Sequence, residues 1–130
     1  MPVVQLLLAR DVDVNTKDSR YGRTSLSFAA ENGHKDVVQL LLAQDVDVNT
    51  TDSRYGQTSL SFAAKNGHKD VVQLLLARDD VDVNPKDFKY GQTPLSFAAK
   101  NGHKDVVQLL LARDDVDANI KSEDGKASAD

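Results

Sequence analysis

The chain has 130 residues, of which 40% are hydrophobic and 28% charged, with a formal charge of −4. That is an ordinary composition with room for one domain; it excludes a disordered or fibrous polymer and gives nucleic acid no overall attraction. Without cysteine, disulfides, thiolate catalysis and cysteine-based zinc sites all fall away, which suits a reducing cytoplasm, and no apolar run approaches the roughly 20 residues that cross a bilayer.

From the N-terminus, Met1-Pro2 leads without a basic leader into VVQLLLA at 3–9, so secretion is not expected. The same seven residues recur at 37–43, 71–77 and 106–112, each followed by a D-V-D-x-N segment. The spacings from Val3 to Val37, Val71 and Val106 are 34, 34 and 35 residues, a period that belongs to stacked supersecondary units. A second phrase keeps step with the first, running from Tyr21 to Ala30, Tyr55 to Ala64 and Tyr90 to Ala99. Each unit therefore carries two helical segments and a turn, and the predicted fold is an all-α solenoid of helix-turn-helix units.

Within a unit, Leu26, Ala29 and Ala30 share one face of the first helix. Thr24 is placed to cap it, and Pro94 in the third copy occupies a first-turn position that tolerates proline. Asn32-Gly33-His34 ends the helix, because Asn and Gly both accept the left-handed conformation. The second helix opens near Lys35-Asp36, with the aspartate at the positive end of the dipole. Val37, Val38, Leu40, Leu41 and Leu42 then cover more than half of its circumference. So wide a stripe needs cover from a partner helix and from neighbouring units, and helices this short are marginal alone. Asp45 to Asn49 alternates polar with apolar, an extended finger leading to a turn at Ser53-Arg54-Tyr55-Gly56.

The boundaries that follow are a partial repeat at 1–20, repeats at 21–54, 55–89 and 90–119, and an incomplete finger with tail at 120–130, all in a single domain of 1–130. The chain enters in mid-unit and neither end carries a dedicated polar cap, so a fragment of a longer array, or an array whose exposed Val3, Leu6 and Leu7 meet another chain, is expected.

Thr93-Pro94-Leu95-Ser96-Phe97-Ala98-Ala99, followed by Asn101-Gly102-His103, Val106 to Leu111 and Asp115 to Asn119, resembles the ankyrin repeat, and the likeness covers nearly the whole chain. More narrowly, the wording is similar to repeat arrays of large fungal intracellular receptor-like proteins. The resemblance implies an L-shaped stack of helix pairs with projecting β-hairpin fingers, and protein binding as the function. The chain departs from the family pattern at Ser27, Ser61 and Ser96, which stand where the family has histidine; a hydrogen bond to the neighbouring unit is then missing or remade by the hydroxyl. A seven-residue step from Asn49 to Gly56, and the extra aspartates at Asp79-Asp80 and Asp114-Asp115, account for 34 and 35 against the usual 33.

Chemistry finds little foothold. His34, His68 and His103 occupy the same turn of successive units, about 8–10 Å apart for packed helices, too far to share a metal. The D-V-D-V-N segments imitate the opening of a calcium loop, but Thr50 replaces its glycine and Gly56 its glutamate. Glu31 and Glu123 are the only glutamates, no acid and base flank a nucleophile, and no glycine loop cradles phosphate. No enzyme, cofactor or metal is expected.

The expected surface for a partner is the finger tips and the concave first-helix face that the resemblance implies. Its candidate residues are Arg20, Tyr21, Arg23 and Phe28 in the first full unit. In the second they are Arg54, Tyr55, Gln57, Phe62 and Lys65, and in the third Phe88, Lys89, Tyr90, Gln92, Phe97 and Lys100. Phe28, Phe62 and Phe97 lie about 200° from the Leu26-type position, which makes them either an aromatic ladder open to a partner or rings packed between adjacent helices. From Tyr55 to Arg78 and from Tyr90 to Arg113 only one of 24 positions differs, so discrimination falls to the fingers, Ser53-Arg54 against Phe88-Lys89. The expected function is a protein-interaction module, with no nucleic-acid or membrane partner. The alternative is a structural spacer that self-associates through uncapped ends.

Overall fold

The repeated wording starts the first helix of each unit with a threonine side-chain cap and ends it with a positive-φ glycine. The computed structural model describes residues 17, 22–44 and 46–117. Among these, six helices form three pairs: α1 (Ser25–Glu31) with α2 (Lys35–Leu42), α3 (Ser59–Lys65) with α4 (Lys69–Leu76), and α5 (Pro94–Lys100) with α6 (Lys104–Leu111). The expected partial unit of 1–20, save Lys17, with its Val3, Leu6 and Leu7, and the tail at 120–130 lie outside the described residues.

Thr24 Oγ1 accepts the Ser27 amide at 3.2 Å, and Ser27 Oγ accepts the Thr24 amide at 3.0 Å. This capping box recurs at Thr93 and Ser96, and Thr58 caps through the Ser61 amide. The serine that stands in the histidine position therefore works inside its own unit. At the other end His34 N–H reaches Ala29 O at 3.0 Å and Gly33 N–H reaches Ala30 O at 3.3 Å, a Schellman closure that needs the positive φ of +71° at Gly33.

The first helices α1, α3 and α5 pack in one row, and α2, α4 and α6 in a second. Leu26, Leu60 and Leu95 with Val38, Val72 and Val106 are buried between the rows. The wide apolar stripe behaves as expected of a stacked helix: on α4 Val71, Val72 and Leu75 are buried and Leu74 and Leu76 half-buried. On α6, beyond which no further pair is described, Leu111 is 50% exposed.

Three polar ladders join one unit to the next, and each satisfies backbone groups that a helix end or a loop leaves over. In the first, the Nε2–H of His68 donates to Glu31 O at 2.8 Å beside Asn66 Nδ2 at 3.2 Å; His103 and Asn101 do the same to Lys65 O at 3.0 and 2.8 Å. A carbonyl only accepts, so Nε2 carries the proton. In the second, Asn49 donates to Asp80 O and accepts from Asp82 N–H, both at 2.7 Å, and Asn84 repeats the bridge to Asp115 and Asp117 at 2.8 Å. In the third, Arg78 reaches the α2 C-terminal carbonyl of Leu42 at 3.3 Å while Asp80 holds its guanidinium by two bonds. Arg113 and Asp115 repeat this against Leu76.

The finger segments alternate as expected, with Val46, Val48, Val81 and Val83 buried and Asp47 and Asp82 exposed. They are nevertheless narrower than hairpins. Among the described residues none forms a strand; each finger is a turn closed by a backbone bond, Asp52 N–H to Gln57 O or Asp87 N–H to Gln92 O, both 3.0 Å, and the first adds Gly56 N–H to Asp52 O at 3.2 Å.

Candidate partner-binding surface

An aspartate builds each finger tip. Asp52 Oδ1 accepts the Gln57 amide at 2.7 Å, and Asp87 Oδ1 accepts the amides of Tyr90 and Gln92 at 3.1 and 2.8 Å. With the carboxylate folded into the turn, the residues between are pushed outward. Arg54, Tyr55, Lys89 and Tyr90 are exposed, and Arg54 and Lys89 lie over the neighbouring rings at 5.0 and 5.1 Å from the Tyr55 and Tyr90 centroids. Phe88, 67% exposed, bonds through its amide to Tyr55 O at 2.7 Å and lays its ring over Gly56, where any Cβ would collide with it. The next finger thus leans on the last.

Between the fingers and the first helices run two grooves. One, with a cavity volume of about 160 Å³, is walled by Arg23, Glu31, Arg54, Gln57 and Lys65 with Phe62 at its floor. The other, about 270 Å³, lies one unit along between Tyr55, Gln57 and Lys65 on one side and Lys89, Tyr90, Gln92, Phe97 and Lys100 on the other.

The candidate residues divide by burial. Arg54, Tyr55, Lys65, Phe88, Lys89, Tyr90 and Lys100 are exposed, and Phe28 is 40% exposed. Arg20 and Tyr21 lie outside the described residues. Gln57 and Gln92, expected at the finger tips, are instead buried on the inner side of the turn, because the reversal at Gly56 and Gly91 sends them back toward the helices. Phe62 and Phe97 are also buried, so at these two positions the rings pack between adjacent units and offer no open ladder. What covers them is a cation of the preceding unit. The Arg23 guanidinium sits between Phe28 and Phe62, 4.1 and 4.4 Å from their centroids, and is anchored to Glu31 at 3.0 Å; Lys65 Nζ lies 5.7 Å from the Phe97 centroid.

The aspartates of the finger turns escaped the sequence reading, although their signal is present: Asp52 and Asp87 each stand four residues before the positive-φ glycine, as Asx-type turns favour. Among the described residues no group of three metal-ligating side chains gathers, and no helix is long and apolar enough to cross a membrane. Each described histidine that faces a preceding unit is committed to a carbonyl of that unit.

The family model for ankyrin repeats, in three copies, matches residues 1–87 and 46–124. Such repeats are generally protein–protein interaction modules and typically non-enzymatic. No curated protein matches the chain.

Proposed function

The chain belongs to the ankyrin repeat family, and on that premise we propose that it is a non-catalytic, cytoplasmic protein-interaction module that grips its partner with the finger tips and the grooves behind them. The whole of 1–130 serves as one array in this reading. The observation that carries it is a division of labour among polar side chains. His, Asn and Arg on the outer edges are consumed by the ladders between units, whereas Arg54, Tyr55, Lys65, Lys89, Tyr90 and Lys100 project around the grooves. Exposed tyrosine and arginine beside a concavity are among the residue types that supply binding energy at interfaces.

The test is retention of a protein partner by immobilised chain and by the Arg54→Glu, Lys89→Glu double variant. Binding lost in a variant that melts at the unaltered temperature supports the module. Binding kept by the variant, or a chain that retains no protein and grows in sedimentation as its concentration rises, replaces the module with a self-associating spacer.

A further inference from the structure

The two grooves differ in charge balance: the first sets two carboxylates, Glu31 and Asp52, among its cations, and the second has one, Asp87. In the first, Arg23 and Glu31 neutralise each other across 3.0 Å, with Arg23 clamped between two rings. One unit along, the position of Arg23 is held by Gln57 and that of Glu31 by Lys65; a further unit along they are Gln92 and Lys100. The salt bridge is thereby deleted and its acid replaced by a base.

The second groove is left with Lys65, Lys89 and Lys100 around it and one carboxylate, Asp87. Both amides that Asp87 holds belong to its own turn, and among the described residues no carboxylate lies within ion-pair distance of the three lysines. Lys65 and Lys89 lie over the faces of Phe97 and Tyr90. Gln57, 4% exposed, walls both grooves, and its Oε1 has no hydrogen-bond partner among the described residues. On a chain of net charge −4, this is a local cationic pocket with aromatic walls.

We propose that this second groove receives a glutamate or aspartate side chain from an extended acidic segment of the protein partner, with Lys65 and Lys100 as its counter-charges. The inference deepens the module reading and rests on it. A carboxylate fits better than a phosphodiester strand because the neighbouring groove sets Glu31 and Asp52 among its cations, and a polyanion gains its affinity by releasing counterions along many phosphates. A single desolvated carboxylate between two lysines gains most where low-dielectric ring faces line the site.

The experiment follows fluorescence anisotropy of labelled oligoglutamate, oligolysine and oligothymidylate peptides or strands titrated with the full chain. Oligoglutamate is expected to bind, to weaken as salt rises, and to lose roughly tenfold or more in affinity in the Lys65→Glu, Lys100→Glu variant. The Lys35→Glu, Lys104→Glu variant, with the same charge change at the starts of α2 and α6, is expected to bind as the parent does. No binding of oligoglutamate, equal loss in both variants, or tighter binding of oligothymidylate overturns the proposal. If a retained protein partner is released by Arg54→Glu with Lys89→Glu but not by Lys65→Glu with Lys100→Glu, the acidic segment is wrong and the module stands; if no partner is retained, the module itself fails.

Discussion

Gly67 and His103 share one space. A Cβ built on Gly67 would lie 2.5 Å from the imidazole Nδ1 of His103, whose Nε2–H is bound to Lys65 O. The glycine is thus required twice, for a φ of +73° and for the ring that lies on it.

Gly67→Ala and Gly102→Ala separate these two requirements. Gly102 has a φ of +76° but nothing within 4 Å of its would-be Cβ. Both substitutions carry the left-handed penalty of about 1–2 kcal/mol, and Gly67→Ala should lose about 1 kcal/mol more as the imidazole leaves its carbonyl. Urea unfolding of the two variants reads the difference; equal losses would mean that the ring contributes nothing to the joint.

Phe62→Ala is expected to unfold the stack before it says anything about binding. With 5% exposure the ring is core, and its truncation should cost about 3 kcal/mol. Phe28→Ala, at 40% exposure, should cost about 1 kcal/mol. Thermal melting compares them, and an undisturbed melting temperature for Phe62→Ala would return that ring to the open surface.

Asn84→Ala removes a donor to Asp115 O and an acceptor for Asp117 N–H in one step. Both partners lie near solvent, so the expected loss is about 1 kcal/mol, with faster hydrogen exchange at the Asp117 amide as its local mark. Unchanged exchange at that amide would show that water replaces the side chain without loss.

The Arg113 guanidinium, hydrogen-bonded to Asp115, holds that carboxyl below the usual carboxylate range. A carboxylate lowered in the folded state stabilises the fold at pH values above its unfolded pKa, and that contribution drains away as the pH falls through the lowered value. Carboxyl-carbon NMR titration should place Asp115 low in the parent and return it upward in Arg113→Gln. The effect on global stability is small because the pair is exposed. Equal titration in both proteins would remove the guanidinium as the cause.

Helix positions, caps and the buried stripe were legible because they depend on residues three or four apart, and periodicity reports such neighbours directly. Thr24 as cap and Gly33 as terminator are read from five or six adjacent residues. The ladders were not legible. Asn49 looked like part of a failed calcium loop and His68 like an inert turn residue, because their partners are backbone groups at Asp80, Asp82 and Glu31, and a carbonyl or amide leaves no mark in a sequence. Gln57 and Gln92 were misplaced for a different reason: polarity argued for solvent, while the reversed turn put the amides under the groove. Among the proposed contact residues, the cations were recognised by type, but the pairing that neutralises Arg23 and leaves Lys65 unbalanced emerges when two units are laid side by side.

Every hydrogen bond that joins one unit to the next spans between 31 and 38 residues, about the length of one unit. Excising residues 55–89 would bring Glu31 O to His103, Asn49 to Asp115 and Asp117, and Leu42 O to Arg113, with donor still meeting acceptor at each seam. A molecule jointed in this way can be shortened or lengthened by whole modules without refitting a single connection, so its span is free to follow whatever it must reach.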